Sequence, residues 1–137
     1  MRTLFVSYRV TDLERSLRFY TALGYGVLGR VETGDGSHLV VLKFPEETAA
    51  SLELVHRPAE GAVDVGSGVD HLAIRVDGLA GTLEALAEAG LHPGPVQRPG
   101  GPAGPKTSWL TDPDGYRIEL VEWPAGHPDG MTAADFS

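Results

Sequence analysis

The 137-residue sequence predicts an α+β fold built from two tandem βαβββ modules whose sheets form an open, curved trough. Three observations predict it. The chain echoes itself with an offset of 66 residues: residues 4–25 lie over 70–91, and residues 51–55 lie over 117–121. Each copy opens with a short β-rich run, followed by an amphipathic helical pattern that stops at a glycine, Gly24 in the first copy and Gly90 in the second. After each helix come short apolar runs separated by turn residues, the pattern of antiparallel-rich strands.

Residues 3–10 read as a strand, and Thr11 or Asp12 caps the helix that follows. Leu13, Leu17, Phe19 and Tyr20 supply the apolar stripe of that helix. Strands are expected over 25–32 and 37–44, with Gly34-Asp35-Gly36 as the hairpin turn between them. A further strand over 50–56 carries Glu53. The second copy starts with a strand over 70–76, then a helix over 78–89 with Leu79, Leu83 and Leu86 inward. A short strand is expected near 94–97. Residues 98–106, rich in proline and glycine, read as a mobile or extended loop, placed with Lys106 to act as a lid. Strands over 107–111 and 116–122 meet at the turn Asp112-Pro113-Asp114-Gly115. The chain is thus read as one domain, 1–137: module 1 over 3–56, a linker over 57–69, module 2 over 70–122 and a polar surface tail over 123–137.

Composition narrows the function. A formal net charge of −8 argues against a nucleic-acid partner, which would need clustered Lys and Arg. Cysteine is absent, which excludes disulfides, thiolate ligands and a cysteine nucleophile, so any metal must take N and O donors. No apolar run reaches the length of a membrane span and no signal segment opens the chain, so a cytoplasmic location is expected, away from membranes.

The repeat also sorts the candidate chemistry. Glu53 and Glu119 stand 66 residues apart, each inside an apolar frame on a strand. One such glutamate can simply face solvent. Two at the repeat offset point to a shared role, because a carboxylate on an apolar face is costly without a partner. His71 matches the position of Phe5, and alternation places it on the same face as Ala73 and Arg75, as Phe5 shares a face with Ser7 and Arg9. Alone, His71 reads as a core histidine; with the two glutamates it reads as a metal ligand. Ser7 is a poor ligand. His56 is expected to face away from Glu53, His38 to be a surface residue, and His92 and His127 to be solvated. Trp109 and Tyr116 read as core or pocket wall.

The run from Arg9 to Tyr20, with Asp70-His71-Leu72-Ala73-Ile74 and the segment from Asp112 to Leu120, resembles the glyoxalase I branch of the vicinal oxygen chelate superfamily. The resemblance covers about residues 3–122. It implies four metal-ligand positions, at Phe5, Glu53, His71 and Glu119, of which three can bind metal. It places on Arg9 the arginine that in glyoxalase I holds a carboxylate of glutathione, and on Arg57 an asparagine of the same pocket. The implied cofactor is a divalent metal (Zn, Ni, Mn, Co or Fe). The implied function is a lactoylglutathione lyase-type isomerase acting on a vicinally oxygenated substrate, which can be a thiol adduct, through a metal-stabilised enediolate. Glu119 is then the base and Glu53 its pseudo-symmetric partner, with Arg9, Phe5 and Trp109 lining the substrate. The resemblance further implies a homodimer with sites at its interface. The rival reading is a metal-free binding protein of the bleomycin-resistance type, in which Phe5 packs against the ligand. Glu53, His71 and Glu119 favour the enzyme. An extradiol dioxygenase is disfavoured, since its triad uses the histidine that Phe5 replaces.

Overall fold

In the first of two compact units, Met1–Gly66, β1 (Val6–Arg9) leads into α1 (Leu13–Leu23). Of the two expected caps, Asp12 serves: its backbone is extended and its carboxylate accepts the Arg15 amide at 3.0 Å. That bond holds the Asp12 carboxyl below the usual carboxylate range. Thr11 instead accepts the Val63 amide at 2.8 Å, which fastens the start of the expected linker to this unit. The buried stripe is Leu13, Ser16, Phe19, Tyr20 and Leu23. Leu17, expected in it, is only half-buried, because the stripe follows i, i+3, i+7 from Leu13 and Ser16 takes that place. Gly24 ends the helix at φ 123°, a left-handed conformation that favours glycine.

Three antiparallel strands complete the sheet: β2 (Gly26–Glu32), β3 (His38–Lys43) and β4 (Leu52–His56), in the order β1-β4-β3-β2 with β1 parallel to β4. In the β2–β3 turn Asp35 accepts from the Thr33 hydroxyl at 2.6 Å and the Ser37 amide at 3.0 Å, and these bonds hold its carboxyl at about 2.

The second unit, Ser67–Ser137, contains β5 (Leu72–Arg75), α2 (Leu79–Glu88), β6 (Lys106–Thr111) and β7 (Arg117–Glu122), with sheet order β5-β7-β6. The two units share one register. Val6 faces Leu52 as Leu72 faces Ile118, so Ser7 faces Glu53 and Ala73 faces Glu119. The Val10 amide donates to the Val55 carbonyl, and the Val76 amide to the Val121 carbonyl, each at 2.8 Å. Both sheets are open, and the class is α+β as predicted.

The strand expected near 94–97 does not form. It is a single bridge, Gln97 to Thr107, because Pro93 and Pro95 lack the amide hydrogens a strand would use. The second unit is therefore βαββ rather than βαβββ. Leu79 and Leu86 are buried, whereas Leu83 is only half-buried. The 98–106 segment folds on itself: the Gly101 amide donates to the Arg98 carbonyl at 3.0 Å, and the Arg98 guanidinium to the Pro102 carbonyl at 3.1 Å. Lys106 is the first residue of β6 and pairs with Glu122 at 3.2 Å, which commits its charge to the strand pair.

His127, expected to be solvated, is a tail anchor. Its ring stacks on Trp123 (centroids 4.3 Å apart), and its two nitrogens contact the Pro128 carbonyl and the Asp135 carboxylate, each at 2.7 Å. The expectation failed because the partner aromatic lies four residues back and the carboxylate eight ahead, outside any regular periodicity. Asp135 also accepts the Thr132 amide at 2.6 Å and so closes a 3₁₀ turn over Ala133–Phe136. The Asp135 carboxylate, with the Pro128 carbonyl, raises the His127 value above that of a free imidazole. The Thr132 amide, with His127, lowers that of Asp135. A raised imidazole stabilises fully below its unfolded value and loses that contribution as pH rises through the folded one. Limited proteolysis of residues 124–137 is therefore expected to be several-fold faster at pH 8.5 than at pH 5.5. His127→Phe should flatten the profile; an unchanged profile in that variant would assign the pH response elsewhere. No helix of the chain is long and apolar enough to cross a membrane.

Candidate metal centre

In the second unit the register assembles a cluster around β7. Glu119 lies mid-strand, flanked by Ala73 of β5 and Trp109 of β6. His71 stands one residue ahead of β5, two before Ala73, on the face toward which Glu119 projects. Its Nε2 lies 3.2 Å from Glu119 Oε2, and its Nδ1 lies 2.5 Å from Asp70 Oδ1. Both ring nitrogens thus face carboxylates, which only accept; the Asp70 contact gives the Nδ1 proton an acceptor, the orientation in which Nε2 can turn to a metal in place of its contact with Glu119. The Glu119 side chain is 18% exposed and His71 32%.

Trp109 meets the His71 ring edge-on at 4.9 Å, and the Arg117 guanidinium lies 4.4 Å over the indole. Asp70 and Arg117 were not among the predicted site residues. Their signals were present: Asp70 adjoins His71, and Arg117 shares a strand face with Glu119 two residues on. Tyr116 is core, and Asp112 is a buried turn device whose carboxylate accepts the amides of Asp114 and Tyr116 at 2.8 and 2.9 Å.

In the first unit, Glu53 occupies the position matching Glu119, with Ser7 opposite on β1 and Val41 opposite on β3. Phe5, 40% exposed, stands where the second unit has His71 and offers no donor. The Ser7 hydroxyl fills in: it donates to Glu53 Oε1 at 2.8 Å. The second unit has Ala73 at that position, so Glu119 has no such anchor. Arg9 donates to the carbonyls of Gly61 at 2.9 Å and Ala62 at 3.3 Å, and its Nε lies 3.3 Å from Glu60. Arg57 reaches the same carboxylate at 3.9 Å. Both residues placed by resemblance at a glutathione carboxylate thus converge on Glu60.

His71 and Glu119 together supply one nitrogen and one oxygen, a donor pair that suits a borderline divalent ion. No three His, Asp or Glu side chains are gathered closely enough within the chain to hold a metal.

Comparison with known proteins shows the family. Residues 3–120 match the family model of the Glyoxalase/Bleomycin resistance protein/Dioxygenase superfamily. A lactoylglutathione lyase of Salmonella typhimurium is 37% identical over 128 residues, covering 89% of this chain and 93% of the relative. A probable chloroplastic lactoylglutathione lyase of Arabidopsis thaliana is 36% identical over 127 residues, and there the match spans 88% of this chain but only 35% of the relative. Among solved structures, a glyoxalase I mutant from Zea mays superimposes with a TM-score of 0.73 at 31% identity, covering 88% of this chain and 44% of that one. The trypanothione-dependent glyoxalase I of Leishmania major gives 0.70 at 30% identity, covering 89% and 86%. The chain belongs to the glyoxalase/bleomycin resistance protein/dioxygenase superfamily, on its glyoxalase I side.

Proposed function

We propose that this protein is a cytoplasmic, divalent-metal-dependent lyase of the lactoylglutathione lyase type, isomerising a small substrate that carries two adjacent oxygens on a thiol adduct. The observation that carries this reading is the His71–Glu119 pair, with His71 oriented by Asp70. His71, Glu119 and Glu53 would hold the metal. His71 and Glu119 belong to one unit and Glu53 to the other, so a second copy of the chain can complete the set in a homodimer. When bound, the ion supplies Lewis-acid polarisation of the two substrate oxygens.

The residues do the rest. Glu119 accepts the proton from the carbon bearing the hydroxyl and returns it to the neighbouring carbon, so hydroxyl and carbonyl exchange places with no net redox change. Asp70 would accept the Nδ1 proton of His71 and so leave the Nε2 lone pair for the ion. Trp109, held under Arg117, walls the site beside His71, and Phe5 offers an apolar surface to the substrate. Arg9 pairs with an anionic end of the thiol.

Metal analysis tests the reading. The wild-type protein is expected to retain about one divalent ion per chain more than His71→Ala after gel filtration. A wild type that retains no more ion than His71→Ala, with Phe5→His adding one, would turn the assignment to the second reading, a metal-free binding protein; Phe5 is the observation that favours it.

Glu60 gives a separate check on Arg9. Its carboxylate sits where a substrate carboxylate would compete. Glu60→Gln is expected to lower KM for an anionic thiol adduct several-fold with kcat unchanged, since the freed Arg9 would bind ground state and transition state alike. An unchanged KM would remove Arg9 from the substrate site.

A further inference from the structure

On the other face of the first sheet, β2, β3 and β4 carry Glu32, His38 and His56 in one row: His38 stands directly opposite both Glu32 and His56. Directly opposed residues project from the same face with Cβ atoms about 4.5–5.5 Å apart. Glu53 faces Val41, three residues from His38, and therefore projects from the opposite face. The row lines an open pocket of about 850 Å³ beside the start of α1, with Asp12, Glu14 and Arg30 also in its lining.

The donors in this pocket are already sorted. His56 Nδ1 lies 3.3 Å from the Val10 carbonyl. A carbonyl only accepts, so this contact is made with the proton on Nδ1 and leaves the lone pair on Nε2, as in metal-binding histidines whose other nitrogen donates to a carbonyl. His38 Nδ1 is buried with no protein partner, a costly state for a polar atom. Asp12 is spent on the Arg15 amide, and Glu14 on Arg30. Glu32 is exposed and makes no hydrogen bond or ion pair, so it is the carboxylate left to act. An anion would find no free cation, since Arg30 is already paired.

We propose that Glu32, His38 and His56 form a second site, for a borderline divalent transition-metal ion such as Zn²⁺. Two imidazoles and a carboxylate are the donors such ions take when thiolates are absent. The three side chains are adjacent rather than converged, and the site would close by rotation of the exposed Glu32 side chain toward the ion. The ion would tie the edge strand β2 to β3 and β4.

The test uses the full chain in the His71→Ala background, so that the first centre is removed. Calorimetric titration with zinc chloride is expected to give one ion per chain at micromolar affinity or tighter, with a rise in Tm. Ring nitrogen NMR should show the His56 Nε2 resonance shifting while Nδ1 stays protonated. His38→Gln and His56→Gln should each weaken binding more than tenfold. Glu32→Gln, an exposed change that leaves the fold intact, should weaken it several-fold and so covers the event that a histidine variant fails to fold. Absence of zinc binding in the His71→Ala protein overturns the proposal, as does binding that Glu32→Gln leaves at wild-type strength. Neither result bears on the first centre, which is read by the difference in metal retention between the wild type and His71→Ala.

Discussion

Glu119→Gln is expected to lower kcat by about 10²- to 10⁴-fold, the usual contribution of a positioned general base. The substitution is nearly isosteric, and the amide oxygen can still face His71, so metal content should fall less than activity. Glu53→Gln is expected to act differently. Glu53 is held on Oε1 by the Ser7 hydroxyl at 2.8 Å, whereas Ala73 leaves Glu119 without that restraint. A carboxylate that carries a proton between two carbons must move, and the unanchored one moves more easily. The expected signature of Glu53→Gln is therefore weaker metal retention with a smaller loss of kcat at saturating metal. Steady-state kinetics on a glutathione hemithioacetal, run beside metal analysis of each variant, separates the two. If Glu119→Gln keeps more than half of wild-type kcat and Glu53→Gln does not, the base is Glu53.

The repeat was the most legible property of the chain because it is enforced by backbone geometry. Strands β1 and β4, and their counterparts β5 and β7, each lock a two-residue alternation to a parallel partner. A shift of one residue would turn Leu52 or Ile118, both fully buried, to the wrong face. That constraint is written into the apolar pattern, and it placed Glu53 and Glu119 at equivalent positions of β4 and β7. What was hidden depends on contacts that periodicity does not encode. The missing strand near Gln97 turned on two prolines, a local chemical veto on pairing. The roles of Asp70 and Glu60 lie in side-chain rotamers that aim one carboxylate at His71 and the other at Arg9. Lys106 reads as a loop cation only until β6 is known to begin at it and to run beside Glu122.

Phe5→His should tighten divalent-metal binding about tenfold or more, some 1.4 kcal/mol for each factor of ten. The argument is one of register. His71 sits two residues before Ala73, which faces Glu119, and from there its Nε2 reaches Glu119 at 3.2 Å. Phe5 sits two residues before Ser7, which faces Glu53 in the same parallel pairing. An imidazole at position 5 would therefore reach Glu53 as His71 reaches Glu119 and add a fourth donor. The cost to the fold is small, because Phe5 is 40% exposed and stands outside β1; such surface changes usually stay within about 0.5 kcal/mol. Ser7 should matter to the outcome, since its hydroxyl now holds Oε1 of Glu53. Pairing Phe5→His with Ser7→Ala frees that oxygen and is expected to increase the gain. Competition titration against a chelator of known affinity, with Tm followed in parallel, measures both effects. An affinity unchanged by Phe5→His, in a protein whose Tm is also unchanged, would mean that position 5 does not face the metal and that the four-ligand correspondence ends at three.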